Sequence, residues 1–139
     1  AIREARDRRL LALRIFDGLF LAAFHFRDHQ LPEVFCGFSR EEYEIPVSYP
    51  VACHPQAWAS GAMPFLIEVL LGLTPEAFDR RLRIVRPILP DFLDRLELRP
   101  LRVGRATVDL QFQRNPHGAD VHVLALDGPL DVVIEAVRE

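Results

Sequence analysis

The chain has 139 residues, 50% of them hydrophobic and 27% charged, a size and balance that suit one soluble globular domain with a buried core and exclude a disordered chain. Its formal net charge of -3 supplies no concentrated basic field, so neither nucleic acid nor an acidic membrane surface is an expected partner. All 17 basic residues are arginine, which codon preference in a GC-rich genome explains more simply than specialised anion recognition.

Residues 2 to about 30 read as one helix. Its first two turns are charged (Arg3, Glu4, Arg6, Asp7, Arg8, Arg9), and apolar residues then occupy nearly every face from Leu10 to Phe26, so neighbours are expected on several sides. Arg14, Asp17 and His25 interrupt that run, and no uninterrupted span of about 18 apolar residues exists to cross a membrane. Arg14 and Asp17, three apart, can pair on the helix surface. His25 and His29 stand one turn apart without an obvious third ligand, and a metal site is not expected there.

Leu31-Pro32 should end the helix, because the residue before a proline is pushed out of the α region. A loop of about 22 residues follows, long enough inside a compact unit to want a functional reason. It holds Glu33 among Pro and aromatic residues, a charged rim of Arg40, Glu41, Glu42 and Glu44, and both cysteines. Cys36 and Cys53 lack zinc-site spacing and disulfide-scaffold density, and read as reduced, buried thiols of a cytosolic protein.

A second helix should start at Pro55, where a missing N–H is tolerated, pass a kink at Pro64 and stop at Gly72. Thr74-Pro75 repeats the start signal for a short third helix. Near Arg81 the period becomes alternating. Leu82 to Val85 and Arg95 to Leu98 read as short strands, and residues 107–113 as a strand with one wet face. Asn115-Pro116-His117-Gly118 fits a type I turn, leading to a strand over 121–126, a turn at Asp127-Gly128 and a final strand over 131–137. The expected layout is α+β, with helices in 1–80 and a small antiparallel β unit in 81–139.

Leu31-Pro32-Glu33-Val34, an intervening loop and then Cys53-His54-Pro55-Gln56-Ala57-Trp58 resemble the C-terminal end of the amylo-α-1,6-glucosidase family, glycogen-debranching-like glycoside hydrolases. The strands with Leu96-Glu97-Leu98 and Leu101-Arg102-Val103-Gly104 look like the β tail of that family. The resemblance implies the terminal helices of an α/α six-hairpin toroid followed by the β unit. It implies Glu33 as the general base of an inverting hydrolase, with Gln56 and Trp58 shaping a sugar pocket. For Trp58 a core position packing the loop stays open, as does a local backbone-satisfying role for Gln56. His54 departs from the family pattern, since a small capping residue would be easier there.

An inverting glycosidase needs a second carboxyl roughly 6.5 to 9.5 Å from the base. The family's acid lies upstream of any residue here, and neither Asp17 nor Asp28 replaces it. Together with an alanine at position 1, this leads us to expect a catalytically silent piece of a longer cytoplasmic enzyme. Its expected partners are an α-glucan or oligosaccharide, the remainder of the parent barrel and, through its apolar helix faces, a second copy of itself. No cofactor is implied, because paired-carboxylate hydrolysis requires none. The alternative is a non-enzymatic carbohydrate-binding or assembly module using the same aromatic loop.

Overall fold

The computed structural model describes residues 2–135. Its order is α1 (Ile2–Ala23), α2 (Ala57–Leu71), then β1 (Leu73–Glu76), β2 (Arg81–Val85), β3 (Arg95–Val103), β4 (Ala106–Asn115), β5 (Gly118–Asp127) and β6 (Asp131–Glu135). This is an α+β fold of two helices followed by two small sheets, with no barrel among the described residues. The chain divides into two compact units, Ala1–Ile67 and Glu68–Glu139.

In the first unit, α1 is built from good helix formers without proline, but it stops well before Pro32. Amides of His25 and Phe26 bond three residues back, to Ala22 and Ala23, and Asp28 and His29 take positive φ of 54° and 56°. Two successive left-handed residues cannot continue a right-handed helix. Nor is α1 covered all round: Leu10, Leu11, Ile15 and Leu21 are exposed, as is Phe24 just past its end. Ala22 of α1, Leu31 and Ala59 of α2 are buried together, with Leu19, Ala23, Phe35 and Met63 packed around them.

Helix α2 begins at Ala57 rather than Pro55, and the His54-Pro55 peptide before it is cis. Pro64 lies inside α2, and the helix is continuous through it to Leu71. Gly72 ends the helix with φ 64°, and a Cβ there would meet Val85 O at 2.0 Å, so only glycine fits.

The expected third helix is instead a strand. Thr74 and Pro75 belong to β1, which pairs antiparallel with β2 through Leu73↔Ile84 and Glu76↔Arg81. A short 3-10 turn over Ala77–Asp79 follows. Proline suits this place because β1 is an edge strand. The β unit is also not wholly antiparallel. β6 leaves the β5 turn and joins β2 in parallel, Arg81↔Asp131 through Val85↔Glu135, which makes the β1-β2-β6 sheet mixed. Expected extension of β6 to Val137 lies outside the described residues. One face of β2 buries Leu82 and Ile84. Its other face carries Arg81 and Arg83, paired to Glu76, Asp131 and Glu135. Hydrogen bonding and charge from Glu135 hold the Arg83 guanidinium above its ordinary range.

The second sheet, β3-β4-β5, is antiparallel. Its central strand β4 buries Ala106, Val108, Leu110 and Phe112 while Thr107, Asp109, Gln111 and Gln113 alternate on the other face, as a period of two requires. β3 is longer than expected because pairing resumes at Leu101↔Val108 after a bulge beyond Leu98. At the β4–β5 turn the Asn115 side chain accepts the His117 N–H at 2.8 Å. Arg114 organises the proline-rich loop before β3. Its side chain donates to the carbonyls of Leu89, Pro90 and Leu93, its backbone N–H donates to Asp94 O, and Asp91 and Asp94 lie within ion-pair distance.

Candidate functional site

The two ends of the long loop are joined where Glu33 meets Cys53. Leu31 and Pro32 are buried, which anchors the loop start in the helical core and leaves Glu33 half-buried at its rim. The Glu33 N–H donates to Cys53 O at 2.9 Å, and the Cys53 N–H donates to Glu33 Oε2 at 3.2 Å. This reciprocal pair links residues 20 apart in sequence. One carboxylate oxygen is thereby oriented by a backbone amide, and Oε1 makes no hydrogen bond among the described residues.

His54 reinforces the junction. Its Nε2 lies 2.9 Å from Gln30 O and donates to it in the tautomer protonated there. Its ring packs on Phe26, 5.5 Å between centroids, and Phe26 packs in turn on Phe35. The residue that departs from the expected capping pattern therefore fastens the loop to the end of the first helical segment.

Gln56 caps α2. Its carbonyl accepts the Ser60 N–H and hydroxyl, and its Oε1 accepts the Ala57 N–H at 3.0 Å. That satisfies one of the orphan amides at a helix start and turns the side-chain carbonyl toward its own helix. Trp58 is 63% exposed, so it is not a core residue packing the loop. The structure thus brings the Glu33 and Cys53 segments together, sets Gln56 Oε1 on the Ala57 amide and places the Trp58 indole on the surface. Of the cysteines, both are free; Cys53 is exposed and Cys36 only half-buried, which corrects the expectation of buried thiols.

A separate cleft of about 540 Å³ opens between the C-terminal end of α1 and the 35–47 loop. Phe24, Phe35, Phe38 and Tyr43 form its aromatic walls, and His25, Arg40 and Glu44 bring polar groups to it. Phe38 and Tyr43 lean together with centroids 4.8 Å apart. Glu33, Gln56 and Trp58 are not among the lining residues. The sequence places Arg40 and Glu44 only at a solvated rim. Both are exposed, yet they also edge this cleft, and their aromatic neighbours from Phe35 to Tyr43 were the available signal. Among the described residues no cluster of three His, Cys, Asp or Glu side chains has metal-binding proximity, and no helix is long and apolar enough to cross a membrane.

No protein-family model, curated protein or solved structure matches this chain.

Proposed function

We propose that this chain is the C-terminal part of a cytoplasmic glycoside hydrolase similar to the amylo-α-1,6-glucosidases, its helices being the last of an α/α six-hairpin toroid. Glu33 serves as the general base of an inverting reaction on α-glucosidic bonds. The observation that carries this reading is the mutual hydrogen bonding of Glu33 and Cys53, which makes one local unit of the two segments whose pairing suggested the family. A base needs one oxygen held and the other facing the proton it removes. Glu33 has that arrangement, with Oε2 on the Cys53 amide and Oε1 without a bond partner among the described residues.

The base would activate a water against the anomeric carbon, while a general acid on the rest of the parent protonates the leaving oxygen. Trp58, with its indole exposed, offers a face on which a sugar ring can stack. Apolar side chains left open on α2, including Phe65 and Val69, suit a helix that packs against further helices of a parent barrel.

The deciding experiment is Glu33→Gln in the longest product of the gene. Loss of α-glucan hydrolysis by several orders of magnitude with retained glucan binding is expected, and unchanged turnover overturns the assignment. The 139-residue chain alone should show no hydrolysis.

A second reading, a carbohydrate-binding module without chemistry, is favoured by the aromatic cleft, which does not include Glu33. It predicts that the isolated chain retards in an α-glucan affinity gel, and that Tyr43→Ala abolishes retardation while Glu33→Gln leaves it unchanged.

A further inference from the structure

We propose that this chain self-associates as an antiparallel, two-fold symmetric dimer through α1, with Arg14 of each copy paired to Asp17 of the other. The inference concerns the helix face alone and does not rest on the sugar chemistry above.

Along α1, Leu10, Arg14, Asp17 and Leu21 recur at alternating steps of four and three residues, and Phe24 continues the series just past the helix end. That spacing keeps all of them on one stripe and is the repeat of a coiled-coil seam. Leu10 is 48%, Leu21 55% and Phe24 58% exposed, so the apolar positions of the stripe are open, with Asp17 half-buried between them. Leu11 and Ile15 widen the exposed apolar face on one side.

The order of residues in the stripe selects its occupant. An antiparallel two-fold axis between Ile15 and Phe16 sets Leu10 opposite Leu21 and Arg14 opposite Asp17, each twice. A parallel arrangement would set Arg14 on Arg14 and Asp17 on Asp17, which like-charge repulsion opposes. The face is therefore complementary to itself in one orientation, the condition for an isologous interface.

Asp17 carries a second sign. Its Oδ1 is buried with no hydrogen-bond partner among the described residues, so the Arg14–Asp17 pairing expected within one helix does not satisfy that atom. A carboxylate oxygen left without a donor is costly. By swinging outward the carboxylate gains the guanidinium of the second copy. The seam spans only about two heptads, so micromolar dissociation is expected rather than a permanent dimer.

The test is sedimentation equilibrium of the 139-residue chain with charge-swapped variants, circular dichroism confirming that each is folded. The wild type should be dimeric at about 100 µM. Arg14→Glu and Asp17→Arg should each weaken self-association about tenfold or more, because both reciprocal pairs become repulsive. Mixed together, these two variants should restore a heterodimer. Leu10→Gln, at a half-exposed position, probes the seam without touching charge and should also weaken the dimer, which covers the case in which Asp17→Arg does not fold. A monomeric wild type at this concentration overturns the proposal. So does a dimer indifferent to Arg14→Glu and Leu10→Gln, which would place association on another surface such as the edge of β5.

Discussion

Glu33 and Cys53 hold each other by two hydrogen bonds, one from the Glu33 amide to the Cys53 carbonyl and one from the Cys53 amide to the Glu33 carboxylate. The same side chain that is proposed to move a proton also closes the long loop. Structure and chemistry at this position are therefore separable by choice of substitution. Glu33→Gln keeps a carbonyl oxygen for the Cys53 amide and removes the base. Glu33→Ala removes the acceptor as well, and should lower stability by about 1 kcal/mol, less than a fully buried bond to a charged group because the site is half exposed. Urea denaturation of both variants checks this, with Glu33→Gln expected within about 0.5 kcal/mol of wild type. Equal losses in the two would mean that the carboxylate charge, rather than the hydrogen bond, holds the loop.

Gln56 caps α2, and its replacement has a local signature. Gln56→Ala deletes the side-chain acceptor for the Ala57 amide and should cost about 1 kcal/mol. Hydrogen exchange should quicken at the first amides of α2 and stay unchanged in β4. If Gln56 acted only on a sugar, exchange at the helix start would not move.

How much of this was legible in the sequence follows from the range of the interactions involved. Strand β4 was readable because Val108, Leu110 and Phe112 alternate strictly with Asp109, Gln111 and Gln113, and a two-residue period has only one backbone solution. The end of α1 was not, because it depends on left-handed backbone at Asp28 and His29, for which those residue types give only a weak preference. Thr74-Pro75 imitates a helix start, and what overrides it is pairing with Arg83 and Leu82 on a strand that comes later. The parallel partnership of β6 with β2 is a long-range choice that no local pattern encodes. Motif spacing singled out Glu33 and the Cys53 segment, which hydrogen-bond each other, yet the Leu21–Val47 cleft draws on residues spread over two elements and became visible only once they met.

Gly72 is the joint between α2 and β1, and its neighbour leaves no room for a side chain. With φ at 64° and the position of a Cβ only 2.0 Å from Val85 O, Gly72→Ala combines left-handed strain with a backbone clash. The loss should exceed about 2 kcal/mol. It should also break the Val85 N–H to Gly72 O bond of 3.0 Å, so protection at the Val85 amide falls first. A variant as stable as wild type would mean that helix and strand can separate at this joint without cost.

Glu97 on β3 sets an acid limit on the second sheet. Arg95 donates to its carboxylate, and Arg99 lies 3.0 Å away. The Arg95 hydrogen bond, followed by the positive charges of Arg95 and Arg99, holds the carboxyl below the usual range against an opposing desolvation effect. A carboxyl whose folded pKa is depressed stabilises the fold above its unfolded value, and loses that contribution as pH falls through the folded value. Thermal melting of the wild type should therefore decline below the ordinary glutamate range. Glu97→Gln should melt lower at pH 7 and show a shallower decline in acid, so that the two curves converge at low pH. Parallel curves over the whole range would show that Arg95 and Arg99 do not act through the ionised carboxylate.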